Sequence, residues 1–402
     1  MALPETGFEE RGLVAPWTTF PEEAAYVDAL LAEVPGITRF QAGTGETGLP
    51  IWCYRFGTGS THIMFVGQQH GPELAAREAL LSRMRDWATD PAWESYLSDV
   101  TVLVIPTARP DSQEDRDNAN GVNLNRDHMQ LTQGETVAIQ QVISDYAPDV
   151  IVDVHEGANI TNEYATSKML NPNIHDGLSS LSADLESAVK SAIEGDGFTW
   201  EAYQGWNITG PEFFSNAAGV RHAVGLLLES RRRPSTNDDA GDRWLWHTIA
   251  LDAVLGWHAS NRVDVAAAVD ASRGVEVGRV ELVTGTSASG TVVDPAPYGY
   301  VISSADEAVL AEPISVFGLT VSDAVQGRIL YATADVGVIA HYLASPDSPQ
   351  RLVDGAPLFD VAQSGLFGDD PYPKYRINAG DGPVGAVMVR LGTVGGPVTI
   401  WP

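Results

Sequence analysis

His70 and Glu73, set in Gln69-His70-Gly71-Pro72-Glu73, place an imidazole and a carboxylate three residues apart. Such a pair can converge on a metal ion such as zinc if the backbone turns between them. A third donor stands at the end of the apolar run Val150-Ile151-Val152-Asp153-Val154-His155. Alternation along a strand puts Asp153 on the same side as His155, where a carboxylate can orient a ligating imidazole. His, Glu and His with a fourth position open describe a catalytic zinc site and not a structural one. Cys53 is the only cysteine, so no thiolate cluster or intrachain disulfide competes with this reading.

Between these donors lies a long polar loop from Arg109 to Asp127. It carries Arg116 and the pair Asn125-Arg126, whose guanidinium groups suit bidentate contact with carboxylates and oxyanions. Loops of this length inside a compact domain are often functional.

The elements that must position these groups follow from periodicity. Strand 61–67 leads into helix 73–88, with Leu74, Leu80, Leu81, Met84 and Trp87 near helical spacing and Pro72 suited to the first helical position. Around them the pattern predicts helix 21–34, strands 38–42, 50–56, 100–106, 149–154 and 223–228, and helices 135–146, 177–194 and 242–259. This order predicts an α/β fold with a mostly parallel or mixed central sheet covered by helices on both faces. Ligands of such sheets gather at the carboxyl ends of strands, where His70 and His155 fall. From about residue 271 short strands are expected at Val275–Val283, Gly290–Val293, Gly299–Ser303, Ala308–Ala311, Arg328–Ala332 and Val387–Leu391. The expected division is a catalytic domain over 1–270 and a small β-rich domain over 271–402.

The 402 residues include 53 Asp and Glu against 24 Lys and Arg, a formal charge of -29. Such a surface repels nucleic acid and anionic membrane, so neither is expected as a partner. The acidic start, Met1 to Phe20, lacks a basic and apolar leader pattern, so a cytoplasmic location is expected, or a secreted one if a leader was removed.

Together, His70-x-x-Glu73, Arg116-x-Asn-Ala-x-Gly, Asn125-Arg126-Asp127 and Asp153-x-His155 resemble the zinc metallocarboxypeptidases related to carboxypeptidase A, in their bacterial branch, over roughly residues 20–260. The resemblance implies one zinc ion on His70, Glu73 and His155. It also implies Arg116 as the group polarising the scissile carbonyl, and Asn125 with Arg126 as the grip on the substrate's terminal carboxylate. A general base at the end of a late strand is implied as well, and Val224-Gly225-Leu226-Leu227-Leu228-Glu229 supplies Glu229, with Glu156 as the alternative. Tyr203 is the candidate for the tyrosine that closes over substrate. Where the family has Asn-Pro-Asp-Gly, this chain has Arg109-Pro110-Asp111-Ser112. The expected activity is removal of a C-terminal residue from a peptide. Alternatives are hydrolysis of N-acyl amino acids at the same site, as in desuccinylases and aspartoacylases, and a non-catalytic binding scaffold. The triplet Arg231, Arg232 and Arg233 either favours an acidic terminal side chain or balances nearby charge.

Overall fold

The computed structural model describes residues 3–203, 208–232, 239–273, 275, 278–285, 287, 289–323, 328–332, 336–360, 374–377, 388–390 and 399–401. Its central strands are β3 (Thr61–Gly67), β4 (Val100–Ile105), β5 (Val150–Gly157) and β8 (Val224–Arg231). Each is a run of Val, Ile, Leu, Met or Phe buried on both faces, the pattern of parallel strands covered by helices. They lie side by side as β4-β3-β5-β8, all parallel. At one flank β2 (Pro50–Gly57) and β1 (Thr38–Thr44) are added antiparallel. At the other, β6 (Tyr164–Lys168) runs against β8, and β7 (Trp200–Ala202) runs with β6. The sheet is therefore mixed, with a parallel centre.

Alternation divides the core between the two faces. Ile63, Phe65, Val152 and Val154 pack with Trp87, Leu185 and Val254, from α3 (Leu74–Thr89), α6 (Asp176–Gly195) and α8 (Ala240–Arg273). The next residues along, Met64, Val66 and Ile151, pack instead with Ile139, Val142 and Phe214, from α5 (Gly134–Tyr146) and α7 (Phe214–Val220). The short α1 (Gly7–Glu10) packs in a separate small cluster through Phe8, while α4 (Glu94–Asp99) adds Tyr96 and α2 (Phe20–Glu33) adds Tyr26, Val27 and Leu30 to the first. Thr19 starts α2 with a capping box, accepting from Glu22 N while the Glu22 carboxylate accepts from Thr19 N.

Beyond α8 the chain forms a ribbon of β9 (Val280–Leu282) and β10 (Thr291–Val293). It then builds an antiparallel sheet from β11 (Gly299–Ile302), β12 (Val321–Asp323), β13 (Arg328–Tyr331), β14 (Ala356–Asp360), β15 (Lys374–Ile377), β16 (Met388–Arg390) and β17 (Thr399–Trp401). Three helices accompany it: α9 (Ser304–Val309), α10 (Ala311–Phe317) and α11 (Gly337–Ala344). The strand expected at Ala308–Ala311 is instead the junction of α9 and α10. Ser303 caps α9 with Asp306 in a capping box, and Leu310 is buried while Val309 is exposed. Of the strand expected over Val275–Val283, Val280–Leu282 is strand among the described residues. Val280, Leu282, Tyr300 and Tyr342 join the same apolar cluster as Trp87, so this part packs on the first. No helix among the described residues is long and apolar enough to cross a membrane.

Candidate metal centre

The turn after β3 carries the first two donors. Gln68 takes a left-handed conformation, φ 48°, and its side-chain amide donates to Gly71 O at 3.0 Å. Ala108 N and Arg109 N donate to Gly67 O and Gln68 O, tying the turn to the chain leaving β4. A Cβ on Gly71 would lie 2.4 Å from Asp115 O and 2.5 Å from Ser112 O, so only glycine lets the polar loop rest on this turn. Helix α3 begins at Leu74 with Glu73 in the capping position, so Pro72 precedes the helix and does not open it. The Glu73 carboxylate makes no cap because the histidines draw it away.

Glu73 Oε1 lies 2.7 Å from His70 Nδ1, and Oε2 lies 2.7 Å from His155 Nδ1. The two Nδ1 atoms are 3.2 Å apart. All three residues are buried, and among the described residues they form the one group of three metal-binding side chains that converges in this way. The far nitrogens are committed elsewhere. His70 Nε2 bonds Asn123 Oδ1 at 2.9 Å, and His155 Nε2 bonds Asp153 Oδ1 at 2.6 Å. Acceptors at both Nε2 atoms fix the tautomers with the proton on Nε2, turning both Nδ1 lone pairs toward the carboxylate. Each such contact then needs a cation or a proton between the two acceptors, so this buried donor set fits a divalent metal. Burial raises the pKa of Glu73, but the two imidazoles outweigh it and hold the carboxyl below its ordinary range. Burial opposes charge on His155 as well, and there Asp153 and Glu73 overcome it and raise the pKa.

Asp153 is itself held. Gln69 Nε2 donates to its Oδ1 at 2.6 Å and Asn125 Nδ2 to its Oδ2 at 2.9 Å. Behind Gln69 stands His128, whose Nε2 bonds Gln69 Oε1 at 2.7 Å and whose Nδ1 accepts from Gln140 Nε2 at 3.2 Å. Burial lowers the His128 pKa to about 3, so it serves as a neutral link. Gln69, Asn123, His128 and Gln140 were missed as site residues by sequence reasoning. Gln69 lies inside the first quoted motif and Asn123 in the polar loop just ahead of Asn125, whereas nothing local marks His128 or Gln140.

Glu229 pairs in register with His155 across the parallel strands β5 and β8, so the two side chains emerge on one face. It is 7% exposed, and its Oε2 is buried without a hydrogen-bond partner among the described residues. Burial raises its pKa well above the ordinary value, with Glu73 and Asp153 adding to the rise and His155 and Arg116 opposing it. Glu156, one residue past His155, faces the other way. It accepts from Arg243 Nη1 at 2.6 Å and Ala75 N at 2.7 Å, satisfying the start of α3 and a buried guanidinium. Arg231 donates to Thr161 O and pairs with Glu163 at 3.5 Å, not with Glu229. Arg233 lies outside the described residues.

Arg116 is exposed and pairs with Asp117 at 3.7 Å. Arg126 Cζ stacks 3.7 Å over the Phe213 ring, and burial followed by Arg116 lowers its pKa. The Asn125 side chain is engaged at both ends, with Asp153 and, through Oδ1, with Phe214 N at 2.7 Å. Asp127 accepts from Thr132 N and Gln133 N, anchoring the start of α5. Arg109, at the departure from the family pattern, is buried, pairs with Asp111 at 2.8 Å and donates to Asp115 O. Tyr203 donates its N–H to Thr166 O and packs beside Phe213 and Leu227. Burial and then Glu229 and Glu73 raise its pKa.

The family model for zinc carboxypeptidases, Peptidase_M14, matches residues 23–205. Over residues 23–205 the chain is thus similar to the zinc carboxypeptidases. Carboxypeptidase 2 of Trichophyton tonsurans is 28% identical over 42% of this chain and 36% of its own length. The chain thus spans little more than a third of that curated relative. Among solved structures, the metallo-carboxypeptidase from Burkholderia cenocepacia superposes with a TM-score of 0.51 at 21% identity, covering 62% of this chain and 71% of that one. That from Pseudomonas aeruginosa, in complex with (2-guanidinoethylmercapto)succinic acid, gives 0.52 at 18% identity, covering 63% and 71%. At these identities the superpositions speak for the zinc-carboxypeptidase fold, here extended by the additional C-terminal sheets.

Proposed function

We propose that the chain is a zinc-dependent exopeptidase that removes a C-terminal amino acid, with residues 1–270 as its catalytic unit. The observation that carries this reading is the convergence of His70, Glu73 and His155 within 4.8 Å, with Glu229 in register beside His155. Zinc held by those three side chains would supply a Lewis acid for the scissile carbonyl and acidify the attacking water. Glu229 has a buried carboxylate oxygen with no hydrogen-bond partner among the described residues, so it takes the water's proton and hands it to the leaving amine. Arg116, unburied on a loop, is free to swing its guanidinium onto the developing oxyanion. Arg126 presents its planar fork to the substrate's free carboxylate, with Asn125 anchoring the turn beneath it. Tyr203, one residue past β7, packs beside the same Phe213 that carries Arg126 and is the candidate to close over substrate. The (2-guanidinoethylmercapto)succinic acid bound by the Pseudomonas aeruginosa neighbour carries carboxylates, which is consistent with a carboxylate-binding site.

The test sets C-terminally varied peptides against N-acyl amino acids, with and without chelator. Release of the C-terminal residue, abolished by chelator, is expected; turnover of the N-acyl amino acids alone would replace the peptidase reading with the deacylase one. Protein purified without chelator should contain about one zinc per chain, as three-ligand catalytic sites do, and His70→Ala should lose it. Elemental analysis finding no metal in the wild type would leave a binding scaffold.

A further inference from the structure

Residues beyond α8 reach back to the loop that carries Phe213. Thr209 N and Gly210 N both donate to Gly285 O at 3.0 Å. Gly285 N returns a bond to Glu212 Oε1 at 2.5 Å, and the Thr284 hydroxyl donates to the same oxygen at 3.3 Å. Gln350 Nε2 holds that hydroxyl from behind at 2.7 Å. The ribbon bearing Thr284 is itself clamped. Asn173 Nδ2 donates to Glu281 O, and Glu281 N donates to Asn173 Oδ1, both at 2.8 Å. On the other side, the loop touches the gripping pair twice, through the Phe213 ring under Arg126 and through Phe214 N on Asn125 Oδ1. Glu212 is 4% exposed, and its charge also bears on Arg126.

We infer that the segment after α8 positions the carboxylate grip: Thr284 and Gly285, acting through Glu212 and Phe213, hold Arg126 ready for a substrate's free carboxylate. This rests on the reading of Asn125 and Arg126 given above. An arginine has many rotamers to lose on binding, and a stacked, braced guanidinium has lost them beforehand. The benefit is to affinity, because the carboxylate lies away from the scissile bond and is gripped alike in ground and transition states. Thr284 and Glu212 are thus positioning residues.

The experiment compares zinc-loaded wild type, Thr284→Val, Glu212→Ala and Glu212→Gln on the best-cleaved peptide of the screen. Calorimetry adds binding of the N-acetyl amino acid corresponding to the residue released. Thr284→Val and Glu212→Ala should raise KM about 5- to 20-fold, the loss of one or two buried hydrogen bonds, with kcat held within about twofold because the chemistry is untouched. The N-acetyl amino acid should bind more weakly by the same factor. Glu212→Gln keeps an acceptor for Gly285 N and should stay near wild type. Unchanged KM and binding in folded Thr284→Val and Glu212→Ala would overturn the inference, as would a fall in kcat at constant KM. If Glu212→Ala does not fold, Thr284→Val decides alone. If the wild type binds the N-acetyl amino acid without cleaving peptide, the peptidase reading fails while the binding series still tests the brace. A wild type that does neither overturns both.

Discussion

Glu229 and Glu156 are two buried carboxylates on neighbouring strands with opposite surroundings, and the contrast assigns their roles. Glu156 is bonded by Arg243 and Ala75 N, while Glu229 keeps one oxygen without a partner. Glu229→Gln is expected to retain zinc and lower turnover about 10²- to 10⁴-fold, the range of a lost general base. It should leave the melting temperature unchanged or higher, since burial already disfavours the charge it removes. Turnover and metal content measured together check this, and near-normal turnover would remove Glu229 from the mechanism. At this scale much was legible. His70, Glu73, His155 and Asp153 are marked once their spacings are taken together with the companion motifs, and the structure brings them together. What was not legible is the support behind them. Gln140 and His128 reach Asp153 only through Gln69, a chain of contacts with no sequence period to betray it.

Elements set which way these carboxylates face. In β5, successive side chains alternate, so His155 turns to the metal centre and Glu156 to α3 and α8. Glu156→Gln should therefore destabilise the fold by about 2–4 kcal/mol, because it strips the negative charge facing a buried guanidinium. Turnover per folded molecule should stay near wild type. Chemical denaturation with a parallel rate assay checks this, and a lost rate at unchanged stability would exchange the roles of Glu156 and Glu229. Strands buried on both faces, such as β3, β4 and β5, are legible because their apolar runs are short and bounded. The antiparallel β6 and short β7 are not, since Tyr164–Lys168 mixes polar and apolar residues and is buried only by its neighbours. α11 was missed for a different reason. Gly337–Ala344 is buried on every side, so no amphipathic stripe distinguishes it from a strand. At Val309-Leu310-Ala311 the apolar run outweighed the capping signal of Ser303 and Asp306, which is the correct one.

Across the whole molecule, buried histidines bonded to tyrosines join separate elements: Tyr96 to His258 between α4 and α8, and Tyr300 to His341 between β11 and α11. Burial pushes His258 down to about 4 and His341 to about 3. A histidine depressed in this way is neutral in the fold, while the unfolded chain takes up a proton near its ordinary 6.5. Its contribution to stability is therefore complete above pH 6.5 and is lost as pH falls toward 4. The loss runs at about 1.4 kcal/mol per pH unit for each such group. Buried carboxyls with raised values, such as Asp127 and Glu135, act in the opposite sense, gaining stability as the pH falls. The raw pH profile thus mixes both, and a variant is needed to separate them. His258→Gln removes the titration along with part of the Tyr96 bond, so the variant should be less stable than wild type at pH 7. By pH 5 the wild type has lost about 2 kcal/mol that the variant never had, and the gap between them should narrow by that amount. Urea midpoints at pH 7, 6 and 5, with equal slopes for the two proteins, measure the gap directly. A gap independent of pH would mean that the fold accommodates a charged His258, and that the interface between α4 and α8 is wetter than its burial indicates.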